Sequence, residues 1–133
     1  MDERIRTYHI AAKGPRMRVL ISIFLLSLGA LTIAQTPISV EEKKIDYLIA
    51  SVESLQNAQF IRNGVAYEAK AAAAHLRLKR RGAGDRVATA DDFIRLCASV
   101  SSMSGIPYQI RFSDGRVVSS ESFLRERLAG FLQ

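Results

Sequence analysis

Apolar positions along the chain change period several times, and each change predicts an element. From Val40, Ile45, Leu48, Ile49, Val52 and Leu55 recur at i, i+3, i+4 and i+7, which predicts an amphipathic helix over Val40 to about Gln56. Ser39 and Glu42 form an S-x-x-E capping box at its start. Glu41, Glu42, Lys43, Lys44, Asp46 and Glu53 fall mostly off the stripe, as a solvated face. Phe60 and Ile61 are a short apolar pair, extended or simply an anchor into the core. Asn63-Gly64 then marks a turn, because both residues tolerate positive φ. Ala66 to Arg81 is expected as a second helix, with six alanines among sixteen residues. Tyr67, Ala71, Ala74 and Leu78 make one face of it, smooth enough for close helix packing, and Gly82 suits its C-terminus.

Thr89 and Asp92 cap a third helix, Ala90 to about Ser99, with Phe93, Leu96, Cys97 and Val100 in one stripe. Cys97 is thereby expected to be a buried thiol. After a Ser/Gly/Pro loop over Ser101 to Pro107, Tyr108, Ile110 and Phe112 alternate with Gln109 and Arg111, the period of a half-buried strand. Asp114-Gly115 is a type I′ hairpin signal, and Val117-Val118 begin the return strand. Ser119 or Ser120 caps a last helix carrying Leu124, Leu128 and Phe131 on one side. The predicted fold is one small α+β domain, mainly α, of about four helices with one β-hairpin in its C-terminal half.

The N-terminal third breaks this pattern. Arg4, Arg6, Lys13, Arg16 and Arg18 precede the uncharged run Val19 to Ala34 (VLISIFLLSLGALTIA), and Thr32 and Ala34 are the small residues of a cleavage site. Residues 1–34 thus read as a signal peptide cleaved after Ala34, and Met17 would give it a more ordinary length as the true start. A 16-residue run falls short of the roughly 20 apolar residues of a spanning helix, so no membrane span is expected after cleavage. The domain then occupies residues 35–133, and export places it in the periplasm or outside the cell. The leader holds five of the 19 basic and two of the 13 acidic residues, so the net charge falls from +6 to +3. Export and that modest charge disfavour nucleic acid as a partner. With Cys97 alone, no intrachain disulfide can form.

Candidate chemistry is sparse. His75 and Cys97 are the only soft ligands outside the leader, and no cluster has metal-ligand spacing, so neither metal nor cofactor is expected. Lys79, Arg80, Arg81 and Arg86 form a basic group suited to phosphate, an acidic polymer or a lipid headgroup, and equally to capping a helix end. Arg62 can hold a carboxylate in a bidentate fork or pair with an acidic residue of this chain. Ser101, Ser102 and Ser104 lie in one loop with His75 as a conceivable base, but the strand–elbow–helix setting of G-x-S-x-G is missing.

The stretches Phe60-Ile61-Arg62-Asn63-Gly64, His75-Leu76-Arg77-Leu78-Lys79, Thr89-Ala90 with Phe93-Ile94, and Ser101-Ser102 with Ser104-Gly105 and Pro107-Tyr108 agree in order and spacing with a known pattern. Across about Glu41 to Leu128 the chain resembles a family of small, mostly exported bacterial proteins, the YfeK type, known only as a domain of unknown function. The resemblance implies export and a single compact domain, and carries no activity with it. Arg62, His75, Arg77 and Ser102 are the family-pattern positions less easily explained by structure alone, and Asn63 joins them beside Arg62 at the turn. They are the candidate binding residues, for an unknown protein or small molecule of the cell envelope. The expected role is a non-enzymatic binding or interaction domain. The alternatives are a small hydrolase using a loop serine with His75, and an envelope-surface protein binding anionic lipid or polymer through Lys79–Arg81.

Overall fold

The computed structural model describes residues 38–131. The signal-peptide expectation for residues 1–34 lies outside the described residues. Within them the chain runs α1 (Val40–Glu53), β1 (Gln59–Arg62), β2 (Val65–Glu68), α2 (Ala69–Ala83), a 3₁₀ turn (Gly84–Arg86), α3 (Ala90–Phe93), a π-helical continuation (Ile94–Ala98), β3 (Gln109–Arg111), β4 (Val117–Ser119) and α4 (Ser120–Ala129). The strands form one antiparallel sheet of order β2-β1-β3-β4. The class is α+β and mainly α, as the hydrophobic pattern predicts.

The sheet is apolar on one side only. Phe60 stands opposite Tyr67 on β2 and Ile110 on β3, and Ile110 stands opposite Val118 on β4. Because side chains alternate, these residues share one face with Arg62. Gln59, Ala66, Glu68, Gln109 and Arg111 occupy the other face and are exposed. The helices cover the apolar side. Ile45, Leu48, Ile49 and Val52 of α1 meet Phe93, Ile94 and Cys97, with Ile110, Phe123 and Leu124 closing the core. Each of these large core side chains removes apolar surface worth about 1.5–3 kcal/mol from water.

Caps fall where the sequence places them. The Ser39 hydroxyl accepts from the Glu42 N–H, but the expected capping box is only half made, because the Glu42 carboxylate pairs with Arg80. Thr89 and Asp92 form a reciprocal box, and the Ser119 hydroxyl accepts from the Ser122 N–H. Cys97 is fully buried, and burial pushes its thiol pKa up.

Four expectations are corrected. First, there are two hairpins. Val65–Glu68, expected to be partly helical, is a strand, because Asn63 (φ 50°) and Gly64 (φ 78°) form a tight turn whose twist suits antiparallel pairing. Second, α2 therefore starts at Ala69 and its buried stripe is Ala69, Ala73 and Leu76. Tyr67 belongs to β2, while Ala71, Ala74 and Leu78 are exposed. The helix also runs through Gly82 and ends at Gly84, which takes the positive φ of 53°. Third, the helix expected over Ala90–Ser99 widens to π geometry after Phe93, and the Ser99 hydroxyl donates to the Ile94 carbonyl at 2.7 Å across the wider turn. Fourth, at Asp114-Gly115 only the glycine has positive φ, so this is not a type I′ turn. The Gly115 N–H reaches the Phe112 carbonyl and the Phe112 N–H the Arg116 carbonyl, a three-residue loop with a glycine bulge.

Candidate functional site

The first hairpin ends against α2, and Arg62 stands at that junction. It is the last residue of β1, two positions after the buried Phe60, so its side chain leaves the helix-covered face of the sheet. On α2, Ala72, His75 and Lys79 follow one another at helical spacing beside the buried stripe. One nitrogen of the Arg62 guanidinium, Nη1, lies 3.0 Å from His75 Nδ1 and 2.9 Å from Nε2. An atom equidistant from both ring nitrogens cannot lie in the ring plane without colliding with Cε1 between them. The guanidinium therefore rests against the face of the imidazole. Its carbon is 5.4 Å from the centre of the Tyr67 ring, so Arg62 contacts two aromatic groups.

His75 is held neutral. Burial lowers its pKa first, and the charges of Arg62 and Lys79 lower it further. Tyr108 approaches the imidazole edge-on, with ring centres 6.3 Å apart. Lys79 lies over the Tyr108 ring, 4.9 Å from its centre, and donates to its hydroxyl at 3.2 Å and to the Val100 carbonyl at 3.0 Å. Between the hairpin and α2 is a cleft of about 200 Å³, lined chiefly by apolar groups of Phe60, Ile61, Tyr67, Ala72 and Leu76, with Arg62 and His75 in its wall.

The turn fastens the serine loop to this cluster. Asn63 Nδ2 donates to Ser101 Oγ at 3.3 Å, and Ser104 Oγ donates to Asn63 Oδ1 at 2.6 Å. Ser101 is buried, and its carbonyl accepts from the Gly105 N–H. The Arg62-Asn63 turn, the His75 side of α2 and the loop before Tyr108 thus meet.

Other candidates lie elsewhere. Arg77 is two residues from His75, about 200° around the helix. It faces α1 and pairs there with Glu53, whose carboxyl pKa is lowered by that hydrogen bond. Ser102 is exposed and makes no side-chain hydrogen bond among the described residues. The basic group is divided: Lys79 joins the Tyr108 cluster, Arg80 pairs with Glu42 and Asp46 of α1, Arg86 donates to the Ala83 carbonyl, and Arg81 is exposed. The arrangement a loop-serine hydrolase requires is not formed. Ser101 and Ser104 bond Asn63, and among the described residues no serine hydroxyl reaches His75 and no carboxylate orients it, while Arg62 occupies its ring face. Among the described residues no three His, Cys, Asp or Glu side chains gather as metal ligands, and no helix is long and apolar enough to cross a membrane.

Sequence reasoning missed Tyr67 as a member of the site and placed Lys79 in the basic group and a family-pattern stretch, not among the candidate binding residues. The signal was present: Phe60 and Arg62 before Asn63-Gly64, with Val65 and Tyr67 after it, is period-2 alternation about a type I′ turn.

Comparison with known proteins covers the same stretch. Residues 39–132 match a family of unknown function, DUF5329. The uncharacterized protein YfeK of Salmonella typhimurium is 38% identical over 68 residues, which are 51% of this chain and 57% of that protein, so the likeness spans little more than half of each. No solved structure matches. Sharing that family's pattern over nearly all the described residues, the chain belongs to the DUF5329 family.

Proposed function

We propose that this chain is an exported, non-enzymatic binding domain of the cell envelope, and that its site is the cleft between the first hairpin and α2. One observation carries the reading. An apolar cleft of about 200 Å³ has Arg62 and His75 in its wall, the pairing of apolar surface with few polar anchors that marks small-molecule sites. The volume suits a fragment-sized group, since a cavity of about 150 Å³ holds one benzene ring. The Asn63 bonds to Ser101 and Ser104 support it by bracing the hairpin tip that carries Arg62. Export is read from the basic segment and apolar run of residues 1–34.

The test is extraction. The protein, expressed from its full sequence, is recovered from the envelope fraction of its producing cell, and bound small molecules are identified by mass spectrometry. Ala71 lines the cleft and is exposed, so Ala71→Trp fills the cleft without overpacking the core. A compound present with wild type and absent from Ala71→Trp is the expected result. Identical extracts from both would sink the reading. The same preparation checks export, since cleavage after Ala34 leaves a chain beginning at Gln35.

A further inference from the structure

Five cationic side chains among the described residues are half-buried: Lys44, Arg62, Arg77, Lys79 and Arg80. Three meet carboxylates of this chain, Lys44 with Glu41, Arg77 with Glu53, and Arg80 with Glu42 and Asp46. Arg62 and Lys79 meet none; their partners are the neutral His75, the rings of Tyr67 and Tyr108, and the Val100 carbonyl. The two unneutralised cations are also neighbours in space, for both act on His75. A cation withdrawn from water gains most from an anion beside it, because its field is less screened there.

Arg62 is also prepared geometrically. Its contact with His75 uses Nη1 alone. Nε and Nη2, which form the side-on fork of a guanidinium, have no hydrogen-bond partner among the described residues. Neither is sealed in the interior, since no buried side-chain nitrogen or oxygen lacks a partner. That edge matches a carboxylate with two parallel N–H···O bonds. Its contacts with the Tyr67 ring and the His75 face restrain the guanidinium before a ligand arrives.

Resting on the cleft reading above, we infer that the ligand class is an apolar monocarboxylate, its carboxylate on the free Arg62 edge and a body about the size of one ring in the cleft. The charge comes from the ligand because the described residues supply none at this position, and the apolar body is what the cleft walls select.

The test uses the full-length chain and probes of stated structure: 3-phenylpropionate, its neutral amide, and acetate. Ring signals of Tyr67, Tyr108 and His75 are followed by NMR, with Tyr47, which packs on Phe131, as an internal control. Expected is saturable movement of the first three and not of Tyr47, with 3-phenylpropionate acting at a concentration at least about tenfold below its amide and acetate weaker still. Arg62→Gln is expected to erase the advantage of the acid over the amide, and Arg62→Lys to restore only part, because an ammonium has charge but no fork. Equal binding of acid and amide would overturn the inference and leave the cleft reading standing. No response to any probe, in a chain that still yields a compound lost from Ala71→Trp, would overturn the inference alone. No response and no extracted compound would remove both.

Discussion

Helix α2 has two flanks that carry similar charge and treat it oppositely. Towards α1, Arg77 and Arg80 find Glu53, Glu42 and Asp46, so the groove between the two helices closes on itself. Towards the hairpin and the serine loop, His75 and Lys79 meet Arg62, Tyr67 and Tyr108, and no carboxylate of the described residues enters. Both flanks border clefts, but only the second leaves a hydrogen-bonding edge unused beside apolar surface. The contrast separates two meanings of a basic helix. Arginines matched across a helix pair hold elements in register, and at the surface such pairs contribute little. Cations held against rings, with their preferred partner absent, are poised for something outside the chain.

The largest effect is expected where the second flank is assembled. Asn63 has φ 50°, and its side chain bonds both Ser101 and Ser104. Asn63→Val places a β-branched residue in the left-handed region, costing about 1–2 kcal/mol. Losing two hydrogen bonds, one part-buried and one exposed, adds about 0.5–1 kcal/mol each. A loss of about 2–4 kcal/mol is expected in urea unfolding, together with loss of cleft binding. A stability change below about 0.5 kcal/mol, within the range of ordinary surface substitutions, would mean that the hairpin tip is not braced as described.

How much of this could be read in the sequence differs between the two flanks for a physical reason. The α1 flank is helix against helix, and helical spacing places its charges; the Ser39 cap and the Ile45–Val52 stripe needed nothing more. The second flank joins residues 13 to 41 positions apart, through a strand that alanine propensity disguised as helix. Propensity was overruled at Ala66 because pairing of Val65–Glu68 with β1 satisfies a row of backbone groups that an earlier start of α2 would forfeit. Arg62, Asn63 and His75 were named from the chain alone, and the structure brings them together. Ser102 and Arg77 were named with them, and tertiary packing turns one to solvent and the other to α1. The direction of Ser102 is not encoded locally; that of Arg77 is, because two residues on a helix turn it about 200° from His75.

The comparison can be reversed by giving the second flank what the first has. Val65 stands opposite Arg62 in the hairpin register, on the same face, and is exposed. Val65→Glu sets a carboxylate beside the open guanidinium edge. Binding of 3-phenylpropionate is expected to weaken at least tenfold, equivalent to about 1.4 kcal/mol, with stability within about 0.5 kcal/mol of wild type. Unchanged affinity would mean that Arg62 does not receive the acid.

Proton uptake sharpens it further. His75 has a folded pKa below its ordinary value of 6.5, first through burial and then through Arg62 and Lys79. The unfolded chain therefore binds the proton more readily, and stability rises with pH across the window between the two values. Stabilisation from neutral His75 is complete above pH 6.5, declines as pH falls below it, and levels off once the folded state is also protonated. The charged groups facing the ring are Arg62 and Lys79, both cations, so nothing nearby compensates. Urea midpoints at pH 7.5 and 5.0 are expected to drop more for wild type than for His75→Phe. Parallel drops would remove the ring from the account.

The smallest effect belongs to the flank that is already matched. Glu53 and Arg77 are bonded yet solvated at the edge of the α1–α2 pair, where screening and side-chain entropy absorb most of the Coulomb attraction. Glu53→Gln is expected to leave the thermal midpoint within about 2 °C of wild type and 3-phenylpropionate affinity unchanged. It removes the carboxylate hydrogen-bonded to Arg77, two residues from His75 on the same helix, and leaves that arginine in the cleft facing α1 with only Asp46 acting on it among the described residues. If that arginine acquired carboxylate affinity comparable to the Arg62 site, charge alone would explain binding, and the fork and the aromatic contacts would lose their role. If it acquired none, the difference between the flanks lies in geometry and desolvation, since the net charge of α2 is the same for both.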